Sequence, residues 1–277
     1  MADLVYFNGD IVPYEDARIG IEDRGYQFAD GVYEVIAVYN NRPFKFEEHF
    51  TRLKNSVEGL DINFNNYDQL KKDAKSLIKK SEYSDAKLYI QITRGEATRS
   101  HAYPDEMTPN VVMTVKKLKG KPDHYFKEGV KAITVPDERW SRCHIKSIAL
   151  LPNILAKKRA KKAGAYEAIQ IRDGFVTDGT SSNVFIVKGG KIITPPATNY
   201  LLNGITRRVI IEKAKSLGYE VLESSVSLYD LLNADEVFLT GTTTEVMPII
   251  EIDEKKIGDG SPGEYTMDIY KEYQKIK

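Results

Sequence analysis

The sequence is short of several things that would have pointed elsewhere. It has one cysteine, Cys143, among 277 residues, so an intrachain disulfide framework and a thiolate-rich zinc site are both excluded, and a reducing compartment fits. It has no net charge: 40 Lys and Arg balance 40 Asp and Glu, which leaves no basic field for nucleic acid or an anionic membrane surface. No apolar run approaches the ~18 residues that read as a membrane-spanning helix, and no N-terminal stretch has the basic, apolar, small-residue order of a signal peptide. Internal repeats, low-complexity tracts and long charge runs are missing as well. The expectation is a cytoplasmic globular protein with no nucleic-acid partner, no membrane partner and no metal.

What is present is a chain with 42% hydrophobic and 29% charged residues, long enough for about two domains at ~150 residues each. LVYFNGDIVPYED puts Asn8-Gly9 between two apolar runs, a type I′ hairpin signal. GVYEVIAVYN and KLYIQITRG read as strands. FEEHFTRLKNSVEGL sets Phe50, Leu53, Val57 and Leu60 on one helical face, and NYDQLKKDAKSLIKK does the same with Tyr67, Leu70, Ala74 and Leu77. After NVVMTVKKL, the polar stretch KGKPD with Gly120 and Pro122 offers the best boundary. The predicted organisation is a small N-terminal α+β domain over residues 1–117, a linker over 118–123 and a larger strand-rich domain over 124–277. In the latter, GVKAITVPD, EAIQIRDG, NVFIVKGGKIITP, YEVLESSV and EVFLTG read as strands, with Gly189-Gly190 at a hairpin. ITRRVIIEKAKSLG and EYTMDIYKEYQKI read as helices.

CHIKSIALLPNIL raises the question of chemistry. Lys146, read here as lying in a strand just before an apolar run, either carries its amine out to water or is held for a reaction. Pro152 can open the helix that follows. A lysine amine is protonated at neutral pH, and a covalent bond to an aldehyde cofactor removes the need to lower its pKa unaided. Such a cofactor needs contacts for a phosphate and a ring. LLNGITRRVIIEKA places Asn203-Gly204 before a helix, where the amides of Ile205 and Thr206 and the Thr206 hydroxyl can face an anion, although a plain helix cap looks the same. FLTGTTTEV ends in a turn where Gly241 and Thr242 can add donors, or make an ordinary turn. A helix end contributes only ~0.3–1 kcal/mol toward a charge, so a cation is needed too. Arg52 in EEHFTRL lies beside an apolar helix face and is the candidate, the alternative being a solvated arginine. In FVTDGTSSNVF, Asp178 falls between a short strand and Ser/Thr turn residues. It makes either an Asx-turn or a carboxylate that keeps a heteroaromatic nitrogen protonated.

Taken in order, EDRGYQFADGVYEV, EEHFTRL, QITRGEATRSHAYP, RWSRCHIKSIALL, AYEAIQ, VTDGTSSNVF, NGITRRVI and TGTTTEVMPIIEIDEKKIGDG run over nearly the whole chain. In this combination the chain resembles the fold-type IV aminotransferases that use pyridoxal 5′-phosphate, most of all the bacterial D-amino acid aminotransferases. The resemblance implies an α/β architecture of two α+β domains with the cofactor in the interdomain cleft. It implies that Lys146 forms the Schiff base and moves the proton between substrate Cα and cofactor C4′. Arg52, Ile205, Thr206, Gly241 and Thr242 correspond to the phosphate grip, and Leu202 to a buttress of the pyridine ring. Tyr33, Arg99 and His101 match a clamp for the substrate α-carboxylate, the last two on a loop that reaches the neighbouring subunit of a homodimer.

Two positions depart from the family. Asp178 stands where glutamate usually faces the ring nitrogen, one methylene shorter, and Gly241 stands where serine is common. The implied activity is ping-pong transfer of an amino group from a D-amino acid such as D-alanine to a 2-oxo acid such as 2-oxoglutarate. Competing readings within the fold are a branched-chain L-amino acid transaminase, an R-selective amine transaminase and an aminodeoxychorismate lyase. Outside enzymology, the competing reading is a non-catalytic dimer that binds a phosphorylated ligand.

Overall fold

The structure, a computed structural model, describes residues 4–277. The chain divides into two compact units. The first runs to Lys119 and takes back Ile145–Ala149; the second comprises Gly120–His144 and Leu150–Lys277. The sequence places 145–149 with the second domain, whereas packing gives it to the first. Ile145 is buried among the apolar side chains of the first unit, the Tyr33 amide donates to the Lys146 carbonyl at 2.9 Å, and Ser147 bridges to Val32.

In the first unit, β1 (Leu4–Phe7) and β2 (Asp10–Pro13) form the expected hairpin. Asn8 and Gly9 take φ of 49° and 114°, the positive values that a type I′ turn needs. α1 (Arg24–Phe28), β3 (Gly31–Tyr39), β4 (Arg42–Pro43), α2 (Phe46–Gly59), α3 (Tyr67–Lys80), β5 (Ala86–Thr93) and β6 (Asn110–Lys117) follow. The strands make one antiparallel sheet in the order β2-β1-β6-β5-β3-β4. α2 contributes Phe50, Leu53 and Val57, and α3 contributes Leu70, Ala74 and Leu77, to a single core with the sheet. Leu53 is fully buried, so its truncation to alanine costs about 2–5 kcal/mol.

The second unit contains α4 (Asp123–Glu128), β7 (Val130–Pro136), α5 (Leu151–Lys162), β8 (Glu167–Arg172), β9 (Phe175–Gly179), β10 (Asn183–Lys188), β11 (Lys191–Thr194), α6 (Ile205–Ser216), β12 (Glu220–Glu223), α7 (Leu228–Leu232), β13 (Glu236–Gly241), β14 (Glu245–Ile252), β15 (Lys255–Lys256) and α8 (Glu264–Ile276). Its nine-stranded sheet runs β12-β11-β10-β13-β14-β7-β8-β9, with β15 on β14. Three neighbouring pairs are parallel, β11 with β12, β14 with β7 and β7 with β8. Pro152 opens α5 as expected. β14 is absent from the sequence expectation because Pro248 interrupts its pattern, and proline cannot donate to a ladder; here it sits opposite Phe238. Among the described residues, no helix is long and apolar enough to cross a membrane.

Candidate active site

Within the first unit the strand β3 organises three of the candidates. Its alternation buries Val32, Glu34 and Ile36 and leaves Tyr33 half-buried on the other face. Lys146 is not in a strand, contrary to the sequence reading: it belongs to an irregular segment pinned beside β3 through the bridge from Ser147 to Val32. Its amide donates to Ser56 Oγ of α2 at 3.1 Å. Its Nζ lies 4.2 Å from the centre of the Tyr33 ring, so the amine stays close to a polarisable face rather than trailing into water.

Arg52 points inward from α2 and meets Glu34, with Nε donating to Oε1 at 2.7 Å and Nη2 to Oε2 at 2.9 Å. His49, one turn earlier on the helix, lies 2.7 Å from the same carboxylate through Nδ1. Burial pushes the Glu34 carboxyl up, but Arg52 and His49 outweigh it and hold the group well below the usual carboxylate range. Burial holds His49 below its ordinary value against the hydrogen bond and charge of Glu34, with a smaller push the same way from the charges of Arg52 and Lys146. Neutral His49 and ionised Glu34 thus fix the guanidinium in place.

Arg99 and His101 lie in an exposed loop after β5. The structure brings them together against Phe28: Arg99 Cζ is 4.4 Å from the ring centre, and the His101 ring meets it edge-on with centroids 5.8 Å apart.

Within the second unit, Asp178 lies inside β9 rather than in the turn after it, and its side chain is buried instead of closing an Asx-turn. Asn183 Nδ2 donates to its Oδ1 at 2.9 Å, while Oδ2 accepts from the Leu202 amide at 3.3 Å and from Arg139 Nη1 at 3.4 Å. Arg139 is itself gripped by Asp137 at 2.9 and 3.0 Å. Burial raises the Asp178 carboxyl to about 7, and the donors around it only partly oppose this. The half-buried Leu202 is tied to the same node, its carbonyl accepting from Asn183 Nδ2 at 2.8 Å.

Asn183 also fixes the start of α6. A Cβ on Gly204 would lie 2.2 Å from Asn183 Oδ1, so only glycine fits at this cap. No side chain caps the helix, and an α-helix leaves its first amides without partners inside the helix, here those of Ile205 and Thr206. Thr206 itself is buried. Gly241 ends β13 next to the start of β10: a Cβ there would stand 3.2 Å from the Ser181 carbonyl, and Thr242 follows in the hairpin turn to β14. The two phosphate-cradle candidates are thereby linked through residues 181–183.

Residues 31–252 match the family described as amino-transferase class IV. The chain belongs to the class IV aminotransferases. It is 46% identical over 267 residues to the D-alanine aminotransferase of Bacillus licheniformis, covering 96% of this chain and 94% of that one. It is 42% identical over 273 residues to the D-alanine aminotransferase of Staphylococcus epidermidis, covering 98% and 96%. Among solved structures, the branched-chain amino acid aminotransferase of Escherichia coli superposes with a TM-score of 0.93 at 28% identity over 100% of this chain and 95% of that one. A T.th. branched-chain amino acid aminotransferase with pyridoxamine 5′-phosphate gives 0.91 at 29% identity over 99% and 94%. The fold-type IV architecture expected from the motifs is therefore the one observed.

Sequence reasoning missed Glu34, His49, Asn183, Arg139 and Asp137. For Glu34 a signal existed: a carboxylate on the apolar side of an alternating strand needs a cation. His49 and Arg52 stand three residues apart on α2, the spacing of one helical face. Asn183 carried no such mark, since its role depends on Gly204 and Asp178 arriving from elsewhere in the chain.

Proposed function

We propose that this aminotransferase transfers the amino group of a D-amino acid, such as D-alanine, to a 2-oxo acid, such as 2-oxoglutarate, with pyridoxal 5′-phosphate as cofactor. The residues fit that group: an amine for the aldehyde in Lys146, a buried carboxylate for the ring nitrogen in Asp178, and the open start of α6, where a Cβ on Gly204 would clash. Ile205, Thr206, Gly241, Thr242 and Arg52 would hold the phosphate, and Leu202 would support the ring. Pyridoxal phosphate, when bound, supplies an electron sink for the pair released from the substrate Cα–H bond.

The protein's own part is proton and carboxylate handling. Lys146 Nζ takes the proton from the substrate Cα and returns one on the way to product. With the cofactor bound, Asp178 would face its ring nitrogen and would help keep that nitrogen protonated. Asn183 and Arg139 hold its two oxygens so that the shorter side chain stays aimed. Arg99 and His101, gathered on Phe28, together with Tyr33, would grip the α-carboxylate by charge-assisted hydrogen bonds. Kinetics are ping-pong, and the working form is a cytoplasmic homodimer in which this loop serves the neighbouring site.

The observation that carries the D-substrate reading is the Arg99, Phe28 and His101 arrangement in a chain 46% identical to a D-alanine aminotransferase. The superposition on branched-chain enzymes favours a second reading, transamination of branched-chain L-amino acids, at the lower identity of 28%. Single-turnover absorbance spectra of the holoenzyme separate them. Loss of the cofactor's visible band with D-alanine and D-glutamate but not L-leucine is expected. The reverse pattern overturns the D-substrate reading, and no response to any amino acid would favour the non-catalytic ligand-binding dimer.

A further inference from the structure

The two residues proposed for the carboxylate clamp are exposed, yet the loop that carries them is built on a buried ionic platform. Arg24, only 4% exposed, donates through Nε to Asp30 Oδ2 at 2.9 Å. Its Nη1 donates to the Ser100 carbonyl at 2.6 Å and its Nη2 to the His101 carbonyl at 3.4 Å. Arg94, at 6% exposure, covers the same carboxylate from another direction, with Nε at 2.8 Å from Oδ2 and Nη2 at 3.0 Å from Oδ1. Its remaining donors go to the Asp61 and Leu60 carbonyls, each at 2.7 Å. The Tyr103 ring lies over Arg94, 3.7 Å from Cζ to centroid, and 5.5 Å from Arg24. Phe28, against which Arg99 and His101 gather, sits 4.7 Å from Arg24 Cζ. The platform's backbone is tied as tightly: Arg24 N donates to Gly95 O at 2.9 Å and Arg94 N to Asp30 O at 3.1 Å.

Two buried guanidinium groups sharing one carboxylate are costly unless every donor is used. Here the spare donors of Arg24 go to the main-chain carbonyls of Ser100, which lies between Arg99 and His101, and of His101 itself. Burial raises the Asp30 carboxyl, but Arg94 and Arg24 more than offset this and hold it below its usual value, so it stays ionised. Ordinary packing of a loop does not call for a charge. A loop that must present an arginine and a histidine at fixed positions to a carboxylate gains from one, because pre-set donors avoid the entropy of ordering on binding.

We propose that Arg24, with Asp30 and Arg94, is a positioning device for the substrate-carboxylate clamp, fixing Arg99 and His101 by gripping the main chain of their loop. The inference rests on the proposed roles of Arg99 and His101. It extends that reading to three residues outside the clamp and to specificity for substrates that carry a carboxylate next to the amine.

The discriminating variant is Arg24→Lys. An ammonium is one point rather than a fork, so it keeps the charge beside Asp30 but cannot also reach both loop carbonyls. In the holoenzyme, exchange of the amides of residues 24, 94 and 97, which donate to the carbonyls of Gly95, Asp30 and Glu22 and tie the loop to its platform, should quicken by about tenfold or more. KM for D-alanine should rise about tenfold while kcat changes by less than about threefold. Tyr103→Leu, which removes the stacked ring and leaves the ion pairs intact, should move both readouts the same way by a smaller factor. Unchanged exchange in both variants overturns the device. Faster exchange with unchanged KM also overturns the proposal, and Arg99→Ala then shows where the fault lies. If that variant too leaves KM unmoved, the clamp reading has failed; if it raises KM, the clamp stands and Arg24 does not position it.

Discussion

Arg52 and Glu34 are joined by two hydrogen bonds, 2.7 and 2.9 Å long, in a pocket where the Glu34 side chain is fully buried. One carboxylate therefore sets the direction of the cation proposed for the cofactor phosphate, and His49 completes it from the same helix. Replacing Glu34 by glutamine keeps the shape but strands a buried guanidinium, a loss of about 3–5 kcal/mol. The carboxyl is held below its ordinary value in the folded protein, so its contribution is present above the unfolded pKa of about 4.3 and fades as pH falls below it. Urea melts of wild type and Glu34→Gln from neutral to acid pH should show the gap shrinking in acid.

Lys146→Ala should leave a folded protein that no longer fixes the cofactor. Borohydride reduction followed by peptide mapping is expected to tag Lys146 in wild type and nothing in the variant. Transamination should vanish in parallel. A tag on another lysine would remove Lys146 from its proposed role.

Asp178 makes the opposite pH prediction to Glu34. Its carboxyl is raised by burial to about 7, so in cofactor-free protein the folded state holds a proton that the unfolded chain releases near pH ~4. Stability relative to Asp178→Asn should fall as pH climbs from about 4 toward 7 and then level off. Thermal melts of both proteins across that range test the sign. In the loaded enzyme the same substitution removes the proposed partner of the ring nitrogen and should slow transamination by about 10²-fold or more.

Gly204→Ala tests the close approach at the head of α6. The added methyl would sit 2.2 Å from Asn183 Oδ1, and that side chain cannot simply step aside, because its Nδ2 is shared between Asp178 and the Leu202 carbonyl. A stability loss of about 1–3 kcal/mol is expected from the overpacking, with weaker cofactor binding in an absorbance titration. Intact affinity would show that the helix start takes no part in holding the phosphate.

The long periodic elements were legible in the sequence for simple reasons. α2 and α3 show their apolar faces over fourteen residues each, and the Asn8-Gly9 turn announces the first hairpin. α1, α4 and α7 are five or six residues long, too short to display a helical period. The segment around Lys146 looked like a strand because Ile145, Ile148 and the leucines after it are apolar, yet only Ser147 makes a bridge. Lys146, Arg52 and Asp178 could be singled out by type and neighbourhood. Their partners could not: Glu34 and His49 become a pair with Arg52 only when β3 packs against α2, and Arg139 reaches Asp178 across 39 positions of chain.

Asn183 ties a strand start, the aimed carboxylate and the glycine cap into one knot through a single amide group. Laboratory evolution of this enzyme should accordingly meet epistasis there. A longer acid at 178, a methyl at 204 or a different side chain at 183 would each be rejected singly, while paired changes open a route, so libraries that vary these three codons together should yield survivors that stepwise screening never reaches.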